Sequence, residues 1–143
     1  MTSFKNIVTI YFIVASLDAI IAQTYTGDMT YYYEWKGNYG SCGLERSKYD
    51  QFYVAALSRS FMNLPPGETN PNKHPLCGEK SCIQVYGARG SVVLKVSDTC
   101  GGCKAYDIDV ADSVFPMLDD LNRGRVRASW KFVDCLKNPP GRK

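Results

Sequence analysis

Asp107 and Asp109 stand two residues apart in the alternating run Tyr106-Asp-Ile-Asp-Val110. On an extended strand, residues two apart share a face. Both carboxylates then point one way, while Tyr106, Ile108 and Val110 take the core side. Such acids suit proton transfer or hydrogen bonding to a polar ligand, but Asp also caps turns and bonds to nearby backbone. Just ahead, Cys100-Gly-Gly-Cys103 has the spacing of a redox pair. A redox CxxC usually opens a helix whose N-terminus stabilises the thiolate. Here the following residues alternate like a strand, so the pair reads as structural. Cys77, Cys82, Cys100 and Cys103 also allow a four-cysteine zinc site, a reading disfavoured in a secreted chain with Cys42 and Cys135 available to pair. Six cysteines allow fifteen pairings, and spacing does not choose among them. His74, the single histidine, lies in a proline-rich loop and reads as a surface residue, with no second histidine to build a metal site or a triad. No cofactor or metal is expected.

The N-terminus supplies the compartment. Lys5 forms a short basic region, Ile7 to Ile21 is mostly apolar, and Ala22 offers a small residue before Gln23. This is the layout of a secretory signal peptide over 1–22. A membrane span needs ~20 apolar residues, and Asp18 interrupts this one. The mature chain, from residue 23 onward, has the length of one domain. Secretion makes its thiols persist as disulfides. The formal net charge of +3 is spread over the sequence, apart from Arg123, Arg125 and Arg127. That cluster suits an acidic polymer or, more simply, a solvated strand edge. No nucleic-acid motif and no second membrane segment is present.

The elements that must position these side chains are mostly strands. Val126, Ala128, Trp130 and Phe132 alternate with Arg127, Ser129 and Lys131, a period of two that puts Trp130 in the core. Ile83 to Tyr86 and Val92 to Val96 read as strands joined by a hairpin turn over Gly87 to Gly90. Phe52 to Leu57 is apolar and reads as either strand or helix. Ser58 is placed to cap a short helical turn through Met62, and Asp112 another through Leu118. Pro65 to Pro75 reads as a loop. Residues 138–143 are polar and proline-containing, and read as a flexible tail. The pattern predicts an all-β domain over 23–137 with short helical turns, a small barrel rather than α/β layers.

Several runs in order carry a family resemblance. Gly27-Asp-Met-Thr-Tyr-Tyr32, Gly40-Ser-Cys-Gly43 and Ala56-Leu-Ser58 come first. Asn70-Pro-Asn-Lys-His-Pro-Leu-Cys-Gly78, Val96-Ser-Asp-Thr-Cys-Gly-Gly-Cys103 and Asp107-Ile-Asp-Val110 follow. Together they resemble the secreted six-stranded double-psi β-barrel proteins, over nearly all of 25–135. That group holds the expansin barrel domain, loosenins, barwin-like and rare lipoprotein A-like domains, and a secreted papain inhibitor. The resemblance implies the pairs Cys42–Cys77, Cys82–Cys135 and Cys100–Cys103. In a chain-entropy model the two long loops contribute roughly 3 to 4 kcal/mol each and the short one ~2 kcal/mol.

The resemblance also implies a polysaccharide groove. Asp109 and Asp98 match its acidic positions, and Thr30 and Tyr32 match the threonine and tyrosine of the expansin opening motif. Glu34 stands where related endoglucanases place a base, and Trp35 joins Tyr31, Tyr32, Tyr33 and Tyr39 as ring surface for stacking on sugars. Alternation sends Tyr31 and Tyr33 to one face and Tyr32 to the other. Ala111 departs from the family's serine after the acidic motif. Hydrolysis usually needs a second carboxylate across the bond, and Asp109 with Glu34 is the candidate pair. The leading expectation is a monomeric, non-hydrolytic protein that binds cell-wall polysaccharide. The second is an inhibitor of papain-like cysteine proteases, on the Asn-Pro-Asn run and the Cys-x-x-Cys loop. The third is a weak glycosidase or lytic transglycosylase.

Overall fold

The computed structural model describes residues 23–33, 40–44 and 52–143. Its strands are β1 (Thr24–Tyr32), β2 (Val54–Ser58), β3 (Ser81–Gly87), β4 (Gly90–Cys100), β5 (Ile108–Ala111) and β6 (Val126–Asp134). They close into a barrel in the order β1-β5-β2-β4-β3-β6, the six-stranded all-β architecture that the motif order implies. β1 with β5 and β2 with β4 run parallel; the other neighbours are antiparallel. Two single-turn helices, α1 (Arg59–Met62) and α2 (Phe115–Leu118), cover parts of the wall. Among the described residues no helix is long and apolar enough to cross a membrane.

β6 follows its alternation. Val126, Ala128 and Trp130 are buried while Arg127 is exposed. Trp130 lies among Tyr25, Phe61 and Phe132, with ring centroids 4.6, 5.2 and 5.3 Å away. Its indole Nε1 donates to the Tyr106 carbonyl at 2.9 Å, which satisfies the polar edge of a buried ring. The β3–β4 hairpin turns at Gly87 and Gly90 as expected. Gly87 is required by packing, since a Cβ there would strike the Leu118 carbonyl. The ambiguous apolar run resolves as β2. All five of its residues are buried, and it is hydrogen-bonded to β4 on one side and β5 on the other. A strand covered on both faces has no alternation to display.

Four local expectations need correction. Ser58 does precede α1, but its hydroxyl donates to the Ala105 carbonyl at 2.6 Å and caps nothing. Asp112 does not cap α2, which starts after Val114; the Asp112 N–H instead donates to the Tyr32 carbonyl at 3.2 Å. His74 is buried, not a surface residue. Its Nδ1 accepts from the Leu76 N–H, so Nε2 carries the proton and donates to the Asn63 carbonyl, both at 3.0 Å. It thereby ties two 3-10 turns, Pro71–Lys73 and Pro75–Cys77, to the end of α1. The tail over 138–143 does not hang free. Gly141 N–H donates to Val93 O and Val93 N–H to Arg142 O, each at 2.9 Å. β2 pairs with β4 only from Lys95 onward, so the tail takes up the ladder positions that β2 leaves open.

The bridges are Cys42–Cys77, Cys82–Cys135 and Cys100–Cys103, as the resemblance implies. With all six sulfurs paired, no thiolate remains for a four-cysteine zinc site. Next to two of the bridges lies a group that the sequence does not announce. Lys95 on β4 is completely buried. Its Nζ donates to the carbonyls of Gly78, Ser81 and Val96 at 2.9, 3.1 and 3.1 Å. The ammonium thus pins the turn between Cys77 and Cys82 to the barrel wall.

Burial pushes the Lys95 ammonium down to about 8, with Glu79 pulling it the other way. In the unfolded chain the same group keeps its proton to about 10.4. Across that window the unfolded state binds more protons, so this group makes stability rise with pH. Urea unfolding of the wild type and Lys95→Met between pH 7.5 and 10.5 is expected to show the wild type gaining on the variant by up to about 3 kcal/mol. A constant difference would show that Lys95 keeps an ordinary proton affinity in the barrel.

Candidate ligand groove

Strand register brings four side chains into one row. Thr30 on β1 pairs with Asp109 on β5, Asp109 with Ala56 on β2, and Ala56 with Asp98 on β4. Asp98 joins the row because of a bulge. Ala55 pairs with Val96 but Ala56 pairs with Asp98, leaving Ser97 as the extra residue. Without it, Asp98 would share the inward face of Val96; one added residue reverses the side-chain direction. Ser97 is buried and its hydroxyl donates to the Ala55 carbonyl at 3.3 Å. The small Ala56 leaves room between the two carboxylates.

The row forms the floor of an open groove of about 480 Å³. Tyr32 and Arg125 line it as well, and Thr99 to Cys103 form one rim. On that rim the Cys100–Cys103 bridge closes a tight loop whose Gly101 and Gly102 are exposed. The Gly40–Leu44 segment lies alongside. Asp98 Oδ1 accepts from Ser41 N–H at 2.8 Å and from Thr99 N–H at 2.7 Å. The Ser41 and Thr99 hydroxyls are 2.8 Å apart. Cys42, in the same segment, is anchored to Cys77. Gly40 adopts φ of +63°, and a Cβ there would strike the Ser97 carbonyl.

No family model matches the chain. It is 38% identical over 122 residues to the papain inhibitor of Streptomyces mobaraensis, covering 83% of this chain and 78% of that protein. The chain belongs to the double-psi β-barrel family of that inhibitor. The solved Streptomyces papain inhibitor superposes with a TM-score of 0.64 at 34% identity, over 79% of this chain and 96% of that one. The apo expansin of Clavibacter michiganensis superposes with a TM-score of 0.59 at 25% identity, over 78% of this chain. The chain spans half the length of the expansin. A mutant of that expansin in complex with cellohexaose, at 24% identity and a TM-score of 0.59, shares the barrel.

Within this family barrel, Thr30, Tyr32, Asp98 and Asp109 come together in one groove. Glu34, Trp35 and Tyr39 lie outside the described residues. Asp107 does not act as the twin of Asp109. It lies just before β5 and is buried, and its two oxygens accept from the backbone N–H groups of Asp28 and Lys104 at 2.9 and 3.1 Å. Tyr106 is half exposed rather than core, because its backbone turns at this junction and only its carbonyl meets Trp130. Tyr31 and Tyr33 share a face as expected, their rings 5.4 Å apart, and Tyr31 packs on Phe115.

Arg125, which reads in the sequence as part of a solvated edge, lines the groove. Its guanidinium donates to Asp28 Oδ2 at 3.3 Å, and Arg127 donates to Oδ1 of the same carboxylate at 3.2 Å. The hydrogen bond from Arg127 leads in lowering the Asp28 pKa, with Arg125 adding to it. Arg123 pairs with Asp119 instead. Among the described residues, no three His, Cys, Asp or Glu side chains cluster to hold a metal ion.

Asp109 is the electrostatically unsettled group. Burial raises its pKa, Asp98 adds to the rise, and the hydrogen bond from Thr30 at 2.9 Å and the charge of Arg125 oppose it. Burial also raises the pKa of the Tyr32 phenol, so its hydroxyl stays protonated. A carboxylate with a raised folded pKa loses stability for the fold as pH climbs from its unfolded to its folded pKa. Asp109→Asn is therefore expected to raise Tm by a few degrees at pH 7. The gain should vanish below pH ~3.9, where both states of the wild type are protonated. Thermal melts of both proteins across that range check the sign; a variant less stable at pH 7 would mean that ionised Asp109 supports the barrel.

Proposed function

We propose that this protein is an extracellular inhibitor of papain-like cysteine proteases. The observation that carries the reading is the exposed Gly101–Gly102 loop, clamped by Cys100–Cys103 on the rim of the groove. A protease cleft is a trench that admits narrow, extended backbone. Two glycines present peptide N–H and C=O groups without side chains in the way. The clamp holds the loop before binding, which reduces the ordering cost of association. The neighbouring Gly40–Leu44 segment, which meets the rim at Thr99, is held by Cys42–Cys77 and Asp98. Likeness to the papain inhibitor over 96% of its solved chain supports the same reading, whereas the likeness to expansin reaches half of that protein. Three disulfides fit an oxidising compartment.

Titrating papain with the purified protein is expected to abolish peptide hydrolysis near equimolar ratio. A Cβ at Gly102 meets nothing within 4 Å, so Gly102→Trp leaves the fold intact and projects a ring from the rim. That variant is expected to inhibit about tenfold more weakly, a loss of ~1.4 kcal/mol, with unchanged Tm. Full papain activity with a large excess of wild type would overturn the function. Equal inhibition by Gly102→Trp would move the contact away from this loop.

The row of Thr30, Asp109, Ala56 and Asp98 favours a second reading, non-hydrolytic binding of cell-wall polysaccharide in the groove. Thr30 and Asp109 supply polar partners for sugar hydroxyls, and Tyr32 a ring edge. Asp98 Oδ1 is engaged by two backbone N–H groups, which suits a positioned hydrogen-bond acceptor for sugar hydroxyls. Retention on insoluble cellulose that falls with Tyr32→Ala, without release of reducing sugar, is the result this reading expects.

A further inference from the structure

A second concavity lies on the other side of β1, and neither reading above uses it. The outward faces of β1, β6 and β3 meet there in register. Thr26 lies opposite Ser129, which lies opposite Tyr86; Lys131 lies between Thr24 and Gln84; Arg127 lies beside Asp28. The hollow holds about 190 Å³. Gly87, Ala88 and Ala128 give it a low floor, and the Tyr86 ring, 37% exposed, forms one wall. The Thr26 and Ser129 hydroxyls, 3.2 Å apart, point at it.

Two cations flank the ring. Arg127 lines one end, and Lys131 Nζ sits 5.8 Å from the centre of Tyr86. They stand four positions apart, about 13 Å along β6. Among the described residues Arg125 and Arg127 share one carboxylate, Asp28, so with Lys131 this patch carries net positive charge. Each guanidinium offers five N–H donors and commits one nitrogen to Asp28.

We propose that this hollow is a binding subsite for uronate units of an acidic polysaccharide. A pyranose face packs on Tyr86 through its C–H surface. Its hydroxyls bond to Thr26 and Ser129. Its carboxylate meets Arg127, the side chain suited to planar two-point recognition, and the carboxylate of a neighbouring sugar meets Lys131. A neutral glucan brings no carboxylate to either cation, and an acidic peptide offers no sugar face to the ring. The chain's overall charge of +3 favours approach to such a polymer. Arg125, which lines the groove, touches the same Asp28 as Arg127, so a long polymer can run from one concavity to the other.

Affinity electrophoresis in gels containing polygalacturonate tests this with the full chain. The wild type is expected to be retarded, and less so as salt rises. Arg127→Gln, Lys131→Gln and Tyr86→Ala should each weaken retardation about tenfold, as for loss of a charge-assisted contact or a stacking ring. Fully methyl-esterified polymer should retard the protein weakly. Polyglutamate of equal charge should retard wild type and Tyr86→Ala alike, and both less than polygalacturonate retards the wild type. Undiminished binding by the three variants, equal binding to the methyl ester, or equal binding of wild type to polyglutamate and polygalacturonate would overturn the assignment. Papain inhibition is measured separately, so loss of this subsite and loss of inhibitor function are distinguishable.

Discussion

Closure of this barrel depends on docking the short segment before β5 against β1 and β6. β5 has four residues, yet it must join β1 in parallel and β2 antiparallel. So short a strand does not find its register by its own ladder alone. Asp107 holds its entry, with one carboxylate oxygen on the Asp28 N–H and the other on the Lys104 N–H. Trp130 holds the Tyr106 carbonyl through its indole N–H. Gly27 permits the approach, since any Cβ there would strike that same carbonyl. Three residues far apart in sequence thus set where Ile108 begins, and with it the position of Asp109. A slip of one residue would send Asp109 into the core and Ile108 into the groove.

The parts of this fold that were legible in the sequence are those whose signal is local. The alternation of Val126 to Phe132, the glycines of the β3–β4 turn and the cysteine runs all act within a few residues. What stayed hidden depends on pairing at long range. β2 carries no period because both faces are covered. The bulge at Ser97, which turns Asp98 outward, needs the register of β2 against β4; the family resemblance implies the groove position of Asp98 without showing this cause. Lys95 looks like an outward charge in a strand until the Gly78–Ser81 turn folds over it. His74 and the tail read as solvent-facing because they are polar, yet both His74 ring nitrogens and the Gly141–Arg142 backbone have specific backbone partners within the fold. In the groove, Arg125 reads as a solvated charge because its anchor, Asp28 on β1, lies far away in sequence.

Division of labour among the disulfides follows from where they sit. Cys42–Cys77 and Cys82–Cys135 close loops of 35 and 53 residues, and both are buried. Loops of that length restrict the unfolded chain most, by ~4 kcal/mol each in the entropy model. Cys100–Cys103 spans three residues, and its effect on the unfolded chain is smaller, under about 2 kcal/mol. It is also partly exposed and borders the groove. A bridge that restricts little of the unfolded chain acts chiefly on the folded surface, where it holds Gly101 and Gly102 in one arrangement.

Lys95 and Asp109 make the same distinction in electrostatic form. Lys95 has three donors and meets three carbonyls, so its hydrogen-bonding capacity as an ammonium is used within the protein. Asp109 is only partly buried; among the described residues Thr30 donates to its Oδ1 at 2.9 Å, while an ionised carboxylate has room for about four hydrogen bonds. Its neighbours in the row, Ala56 and Asp98, donate nothing to it. A buried polar group that the fold satisfies belongs to the architecture; one that the fold leaves short of partners holds capacity for a ligand. By that criterion Asp107, with both oxygens on backbone N–H groups, is structural. Asp98, with two backbone donors on one oxygen, stands between the two roles. Asp109 is the carboxylate of the row through which the groove can exert chemical selectivity.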